Sequence, residues 1–472
     1  MFYFIGYNSV KAHLKKTDLK LKKKIKKFYA LILRINLIFL MFLNKQYIIR
    51  NSLIFSRFIR LQYDKFLNKN MSVQVDNIKQ DENIAERTNK RQMIDESYET
   101  ITKAPKVEST EDVVQRKNNV KRKNFVIMLG YLGKNYSGMQ INRGTKTIEE
   151  SLLSALLKAR FITEEQFEDV REIKFQRAAR TDKGVSAVRQ VVSLQLPNHV
   201  NKEDINEYLP KDIRVFDVKR VTKTFNSKNK CDARTYRYVL PTFALAPEDP
   251  NFLQVDNEEE IDEEQRLKQL SMIDEKPYHE FRLTPEMLDK LNEILKSFEG
   301  THNFHNFTSK TKPSDPRAKR YIIYFRCIET FIANNMEFAV LEIKGQSFML
   351  HQIRKMVSLI IGICRNIVTS DIVKDVFSLE KVDIPVAPGL GLSLHFVHYE
   401  YYNERYGKDG FHKTLEWQEC KEDVDKFYKE CILQDIINEE ISEKVMMNWL
   451  ASILTPKRFA FKECVVQCEY LS

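Results

Sequence analysis

The 472-residue chain contains no Cys-x-x-Cys pair, no Gly-rich phosphate loop, no GxGxxG and no Gly-x-Ser-x-Gly elbow. These absences argue against dinucleotide binding, P-loop chemistry and a serine-hydrolase site. Seven cysteines (Cys231, Cys327, Cys364, Cys420, Cys431, Cys464 and Cys468) are odd in number and scattered. They suggest neither a zinc site nor a disulfide framework, and a reducing compartment fits them. His302 and His305 stand three apart and His351 could join them, but no Glu or Cys lies beside them at metal-ligand spacing, so no metal is expected. The longest strongly apolar run, Phe28 to Leu43, is interrupted by Arg34 and Asn36 and is short for a membrane span, so no stable membrane anchor is expected. No internal repeat at a short fixed period is visible.

Acidic residues are nearly missing from the first seventy positions, which hold about 16 Lys or Arg against 2 Asp. The overall charge of +11 therefore comes from that segment, and everything after Asn70 sums to about −3. An anionic partner must be met by local basic clusters, not by a uniformly positive body. The segment itself reads in two ways. Its basic, acid-poor, partly amphipathic character resembles a mitochondrial presequence, although such segments favour Arg and Ser over Lys. Alternatively, translation starts at Met71, where composition turns abruptly polar. Residues 71–121 carry few apolar side chains and read as a disordered linker closed by the basic cluster Arg116 to Lys123, either a solvated charge run or a phosphate or import patch.

Ordered structure is expected from Asn124 to Tyr131, a short apolar strand. Thr147 and Glu150 suggest a capping box opening a helix over Ile148–Lys158. Glu172–Phe175 and Val188–Leu196 look like a hairpin, with Arg177–Ser186 as the loop between them. Ile213–Val221, Thr235–Leu240, Arg320–Thr330, Glu337–Lys344 and Leu392–Val397 are further strands. Thr284–Phe298 is an amphipathic helix stopping at Gly300, and Met349–Val368 is a long one. Residues 248–275 read as an acidic surface loop, and residues 417–453 as acidic helices. Strands in pairs with helices between them indicate an α+β fold with mostly antiparallel sheet.

Three clusters could carry chemistry. In Arg177-Ala-Ala-Arg-Thr-Asp-Lys-Gly-Val-Ser186, extended backbone would put Asp182 on the same side as Arg180, and a nearby cation favours an ionised, nucleophilic carboxylate. The same spacing also fits an ordinary surface ion pair. Arg234, Tyr236, Arg237 and Tyr238 interleave cations with aromatics, which suits phosphates and unstacked bases but equally a cross-strand aromatic pair. In Gly345 to Met356, a stripe of Leu350, Ile353, Val357, Ile360, Ile361 and Cys364 carries Arg354 at its edge, free to snorkel or to reach a buried carboxylate.

Together these runs closely resemble the TruA-type pseudouridine synthases, in the eukaryotic branch that includes pseudouridylate synthase 1. The resemblance rests on Arg177 to Ala187, Phe225 to Tyr236, Gly300 to Thr308, Gly345 to Met356 and Ala387 to Leu392, in family order across about residues 122–455. It departs at Met139, where the bacterial pattern has Trp. The resemblance implies two pseudo-symmetric α+β halves around a basic cleft, no cofactor, no metal, a monomer, and tRNA as substrate, with messenger and small nuclear RNA open. It implies that Asp182 attacks a flipped uridine beside Arg180, that Arg354 pairs with Asp182, and that Tyr236 stacks on the base, with Arg234 and Lys183 on the substrate. A catalytically silent RNA-binding protein using the same cleft is the alternative. Nuclear residence is expected, with a mitochondrial form if residues 1–70 act as a targeting segment. The division expected is 1–70 amino-terminal segment, 71–121 linker, 122–241 catalytic half, 242–283 acidic insertion, 284–412 second half and 413–472 helical extension.

Overall fold

Residues 121–142, 144–248, 263–309 and 311–453 are described by the computed structural model, all within the unit Lys117–Ser472. The amino-terminal segment, almost all of the linker, the first part of the acidic insertion and the last nineteen residues lie outside the described residues. Nine of the strands form one sheet. They are β1 (Arg122–Tyr131), β2 (Gln176–Arg177), β3 (Ser186–Pro197), β4 (Ile213–Arg220), β5 (Ala233–Pro241), β8 (Gly300–Asn303), β9 (Lys319–Ala333), β10 (Met336–Gly345) and β11 (Leu392–His398). Their order is β4-β1-β3-β11-β5-β10-β9-β8, with β2 paired to β3. A separate two-strand ribbon joins β6 (Met272–Ile273) to β7 (Lys276–Pro277).

Every pairing in the large sheet is antiparallel except one. β11 runs parallel to β3, through Ser393 opposite Ser186 and Leu394 opposite Ala187. That short parallel seam joins the two flanks of the sheet and lies where the Asp182 loop enters β3. β5 follows β4 in sequence, yet it pairs with β10 and β11 on the other side of the seam. β1 lies between β3 and β4 and is buried from Asn124 to Tyr131, so its continuous apolar run reflects burial on both faces.

Among the helices, α1 (Ile148–Lys158) starts where Thr147 accepts a hydrogen bond from the Glu150 N–H. The expected capping box is reached by its Thr147 half, and Glu149 turns inward to a second task described below. α2 (Pro285–Lys296) is capped by Thr284 and carries Pro285 at its first turn, where a missing N–H costs nothing. α3 (Gln352–Cys364) is buried at almost every position. It is shorter than expected at both ends, because His351 (φ 61°) and Asn366 (φ 60°) adopt left-handed conformations. Leu350, expected in its apolar stripe, is 53% exposed.

Two other expectations need correction. The segment Glu172–Phe175 is a turn, not a strand, with Lys174 at φ 54°. In its place the two-residue β2 pairs with β3, although Ile173 and Phe175 are buried as a strand would require. The acidic insertion is not wholly a surface loop either. Glu263–Leu270 is helical, Leu270 is buried, and Arg266 donates to the Ala451 carbonyl in the carboxy-terminal helices. Those helices are α4 (Lys421–Phe427), α5 (Gln434–Glu443) and α6 (Val445–Ile453), with a π-helical turn at Tyr428–Leu433. Lys134, Arg189 and Lys219 on the catalytic flank each pair with acids of the carboxy-terminal region, Glu439, Asp425 and Glu419 respectively.

Candidate active site

The loop between β2 and β3 is held from several directions before any substrate arrives. Gln190, fully buried in β3, accepts from the Ala179 N–H at 3.2 Å and donates to the Ala179 carbonyl at 2.9 Å. The Tyr131 hydroxyl, at the end of β1, shares a 2.8 Å hydrogen bond with the Thr181 hydroxyl. Burial pushes that phenol up to about 12, so it stays protonated. Backbone bonds add to the brace: Met139 N–H to the Thr181 carbonyl, Gly184 N–H to that of Tyr136, and Ala178 N–H to that of Val191. Each such bond stabilises by about 1 kcal/mol. Collectively they fix the backbone on both sides of Asp182.

A buried ion pair anchors the start of the loop. Arg177 donates to Glu149 at 2.7 Å, and Glu149, 1% exposed, also accepts from the Ile141 N–H. Burial raises the Glu149 carboxyl, while Arg177, that N–H and the charge of Arg180 oppose the rise. Arg234 supplies the brace from β5. Its Nε and Nη2 both donate to the Ala178 carbonyl, at 3.0 and 2.6 Å, and its Nη1 donates to the Gln346 carbonyl at 2.8 Å. The guanidinium expected on the substrate is thus occupied in joining the Asp182 loop to the turn after β10.

Asp182 itself is half-buried, and its side chain is 32% exposed. Among the described residues its ion-pair neighbour within 4.0 Å is His351, with Nε2 at 3.9 Å from Oδ2. The pairing expected with Arg354 is not formed at that range. Arg354 stands three residues into α3, donates from Nε to the Ala387 carbonyl at 2.6 Å, and has its guanidinium beside Gly389. Arg180 is exposed and is likewise not within 4.0 Å of Asp182; its charge is felt at Glu149 instead. Extended-chain geometry fails here because a turn begins at Asp182, where the Val185 N–H bonds back to its carbonyl. Lys183, next to Asp182, is exposed.

Tyr236 and Tyr238 share one face of β5, and Arg237 pairs on the other with Glu342, its cross-strand partner on β10. Tyr238 is buried and donates to the Pro388 carbonyl at 2.7 Å. The Tyr236 ring meets Phe348 edge to face, 5.2 Å between centroids. Burial holds the Tyr236 phenol far above its ordinary range; Arg234 opposes this and the charge of Asp182 adds to it. Tyr236 and Asp182 therefore lie within reach of each other's field, and Tyr236, buried at 7% exposure, stays neutral.

Sequence reasoning missed His351, Gln190, Tyr131 and Gly138 as parts of this site. His351 has a visible signal, a polar residue at a helix start one turn from Arg354, yet in the sequence it stands only as a metal-ligand candidate and as part of the Gly345–Met356 run, with no link to Asp182. Among the described residues no group of three His, Cys, Asp or Glu could hold a metal ion. Beyond β2, an open cavity of about 530 Å3 is lined by Arg171, Lys174, Gln176 and Lys223 among others. Arg171 is held by Asp169, leaving Lys174 and Lys223 exposed with no carboxylate within 4.0 Å among the described residues.

The chain matches a family model described as tRNA pseudouridine synthase over residues 294–400. It is 46% identical to the human pseudouridylate synthase 1 homolog, over 70% of this chain and 72% of the human protein. The mouse homolog of the same name is 44% identical over 75% and 79%. The tRNA pseudouridine synthase 1 of Saccharomyces cerevisiae is 30% identical over 68% and 69%.

Proposed function

The chain belongs to the tRNA pseudouridine synthase family, and from that membership we propose that Asp182 is the nucleophile with which it isomerises uridine to pseudouridine in tRNA. The observation that carries the assignment is a partly exposed carboxylate on a loop whose flanking backbone is hydrogen-bonded at Ala178, Ala179, Thr181 and Gly184, in the field of a buried, neutral tyrosine. Such bracing is what a nucleophile needs to meet its target atom without reorganisation.

The target uridine must leave its stack, which costs a few kcal/mol, and contact with Tyr236 offsets part of that cost. The Asp182 carboxylate attacks either ribose C1′ or base C6, and the N1–C1′ bond breaks. The base turns, C5 bonds to C1′, the bond from the Asp182 carboxylate to C1′ or C6 breaks and returns the free carboxylate, the C5 proton leaves and N1 takes up a proton. Atoms and electrons balance within uridine, so no oxidant or cofactor enters. Arg354 is one helical turn from His351, close enough for a side-chain rearrangement to bring it toward the reacting carboxylate. Lys183, exposed beside the nucleophile, suits a phosphate of the same strand.

Uridines in messenger and small nuclear RNA are proposed as further substrates, because a nucleophile acting on one extruded base does not by itself require the tRNA fold. Nuclear residence is proposed with them. The acid-poor basic segment at residues 1–70 supports a mitochondrial form, which imaging of full-length and Met71-initiated chains would test.

Wild-type protein and Asp182→Asn are incubated with tRNA and the product is mapped for pseudouridine. The wild type is expected to form it and the variant to form none while binding tRNA equally well. Equal product from both would remove Asp182 as nucleophile. Binding without product from either would point to a silent RNA-binding protein.

A further inference from the structure

His351 occupies a left-handed backbone conformation that suits glycine better than any residue with a side chain. At φ 61° and ψ 3° it is left-handed, and it directly precedes α3 without capping that helix through its side chain. If the turn alone mattered, glycine would be the natural occupant, with asparagine next. The turn is nevertheless well fixed. The Lys355 N–H donates to the His351 carbonyl, the Gln352 N–H to that of Met349, and the Met349 N–H to Gln352 Oε1 at 2.9 Å. The conformation carries the imidazole over to the Asp182 loop, where Nε2 lies 3.9 Å from Oδ2. That distance is longer than a hydrogen bond and short enough that a small side-chain movement closes it. Both side chains are about one-third exposed, so they face the open side of the site.

We propose that His351 is a positioning residue for Asp182, its Nε2–H taking Oδ2 so that Oδ1 is aimed at the uridine. A carboxylate held at one oxygen loses its freedom to rotate about the Cβ–Cγ bond. The bond is made in the Nε2–H tautomer and tightens when RNA fills the site, as catalytic contacts that are long in the free enzyme commonly do. Arg354 is occupied at Ala387, so among the described residues His351, just before α3, is the donor group that this segment brings within 4.0 Å of the nucleophile. The inference rests on Asp182 being the nucleophile.

The test is single-turnover pseudouridine formation on tRNA with His351→Gly, His351→Gln and Asp182→Asn, measured alongside tRNA affinity and thermal stability. Glycine suits the left-handed backbone, so His351→Gly is expected to fold at least as well as the wild type. Its single-turnover rate is expected to fall about tenfold or more, as misplacement of a reacting group does, with tRNA affinity unchanged. Added imidazole should recover the rate of His351→Gly and leave Asp182→Asn inactive, and glutamine should retain more activity than glycine. A wild-type rate in His351→Gly overturns the proposal. So does a loss that imidazole does not restore and that glutamine shares in full. An active Asp182→Asn would instead strike the nucleophile assignment itself.

Discussion

Gly138 and Thr181 meet so closely that a Cβ on the glycine would lie 2.8 Å from the Thr181 carbonyl oxygen. The same glycine sits at φ 99°, where any L side chain is strained. The neighbouring Met139 N–H bonds that very carbonyl at 3.1 Å, so the turn after β1 and the Asp182 loop are fitted backbone to backbone. Gly138→Ala is expected to cost about 1–3 kcal/mol from the strained conformation alone and to push Thr181, hence Asp182, out of place. Urea unfolding and pseudouridine formation should both register it, the activity more heavily. An alanine variant with wild-type activity would mean that the loop tolerates displacement.

Gln190 satisfies both the N–H and the carbonyl of Ala179 from inside the sheet. Gln190→Leu keeps roughly the same bulk and removes both bonds, leaving two buried backbone groups without their partner. The expected cost is about 1–3 kcal/mol for each group left unpaired. Because Ala179 is three residues from Asp182, the rate at saturating tRNA should fall while tRNA affinity stays near that of the wild type. Loss of affinity with an unchanged rate would show that Gln190 shapes the RNA surface and not the nucleophile.

The parts of the site that can be read from sequence are those carried by short, ordered runs. Asp182 and Tyr236 are of this kind, as is the cap at Thr284, because each depends on residues within a few positions. The hydrogen bond of Arg354 depends on Ala387, 33 positions away, and no periodicity on α3 foretells that link. The links from Arg234 to Ala178 and Gln346 are not legible either, because backbone carbonyls carry no sequence signature. Glu172–Phe175 reads as a strand because Ile173 and Phe175 alternate and are in fact buried, but the left-handed Lys174 between them breaks extended pairing. Only tertiary packing decides among these.

Lys174 and Lys223 face the open groove beyond β2, which Gln176 also lines, and Lys174 stands eight residues before Asp182. An RNA strand leaving the site along β2 would pass them. Lys174→Ala/Lys223→Ala is expected to weaken tRNA binding and to reduce the slope of log K against log salt by about 0.7–0.9 for each phosphate no longer neutralised. The single-turnover rate at saturating protein should remain unchanged. Affinity with a wild-type salt dependence would place the RNA path elsewhere.

Glu440 ties the helical extension together and makes its stability depend on pH. The residue is 5% exposed on α5, and both carboxyl oxygens accept from the Met446 N–H at the start of α6, at 2.9 and 3.1 Å. Burial pushes its carboxyl from 4.5 up to about 8. The unfolded chain therefore holds fewer protons at this position than the folded one between those two values. Stability contributed by the protonated form is fully present below about pH 4.5 and is lost as pH rises to about 8. A gap of one pH unit between the folded and unfolded titrations is worth about 1.4 kcal/mol, so the loss is on the order of a few kcal/mol. Half-buried His395 and His398, whose imidazoles desolvation holds below their ordinary value, act in the opposite direction over the acid part of this range. The difference between wild type and Glu440→Gln isolates the carboxyl, since glutamine keeps an acceptor for Met446 and cannot ionise. Urea midpoints measured at pH 5 and pH 8 should separate the two proteins at the higher pH, with the glutamine variant the more stable. Parallel pH dependence in both would mean that Glu440 is ionised and solvated in the folded protein.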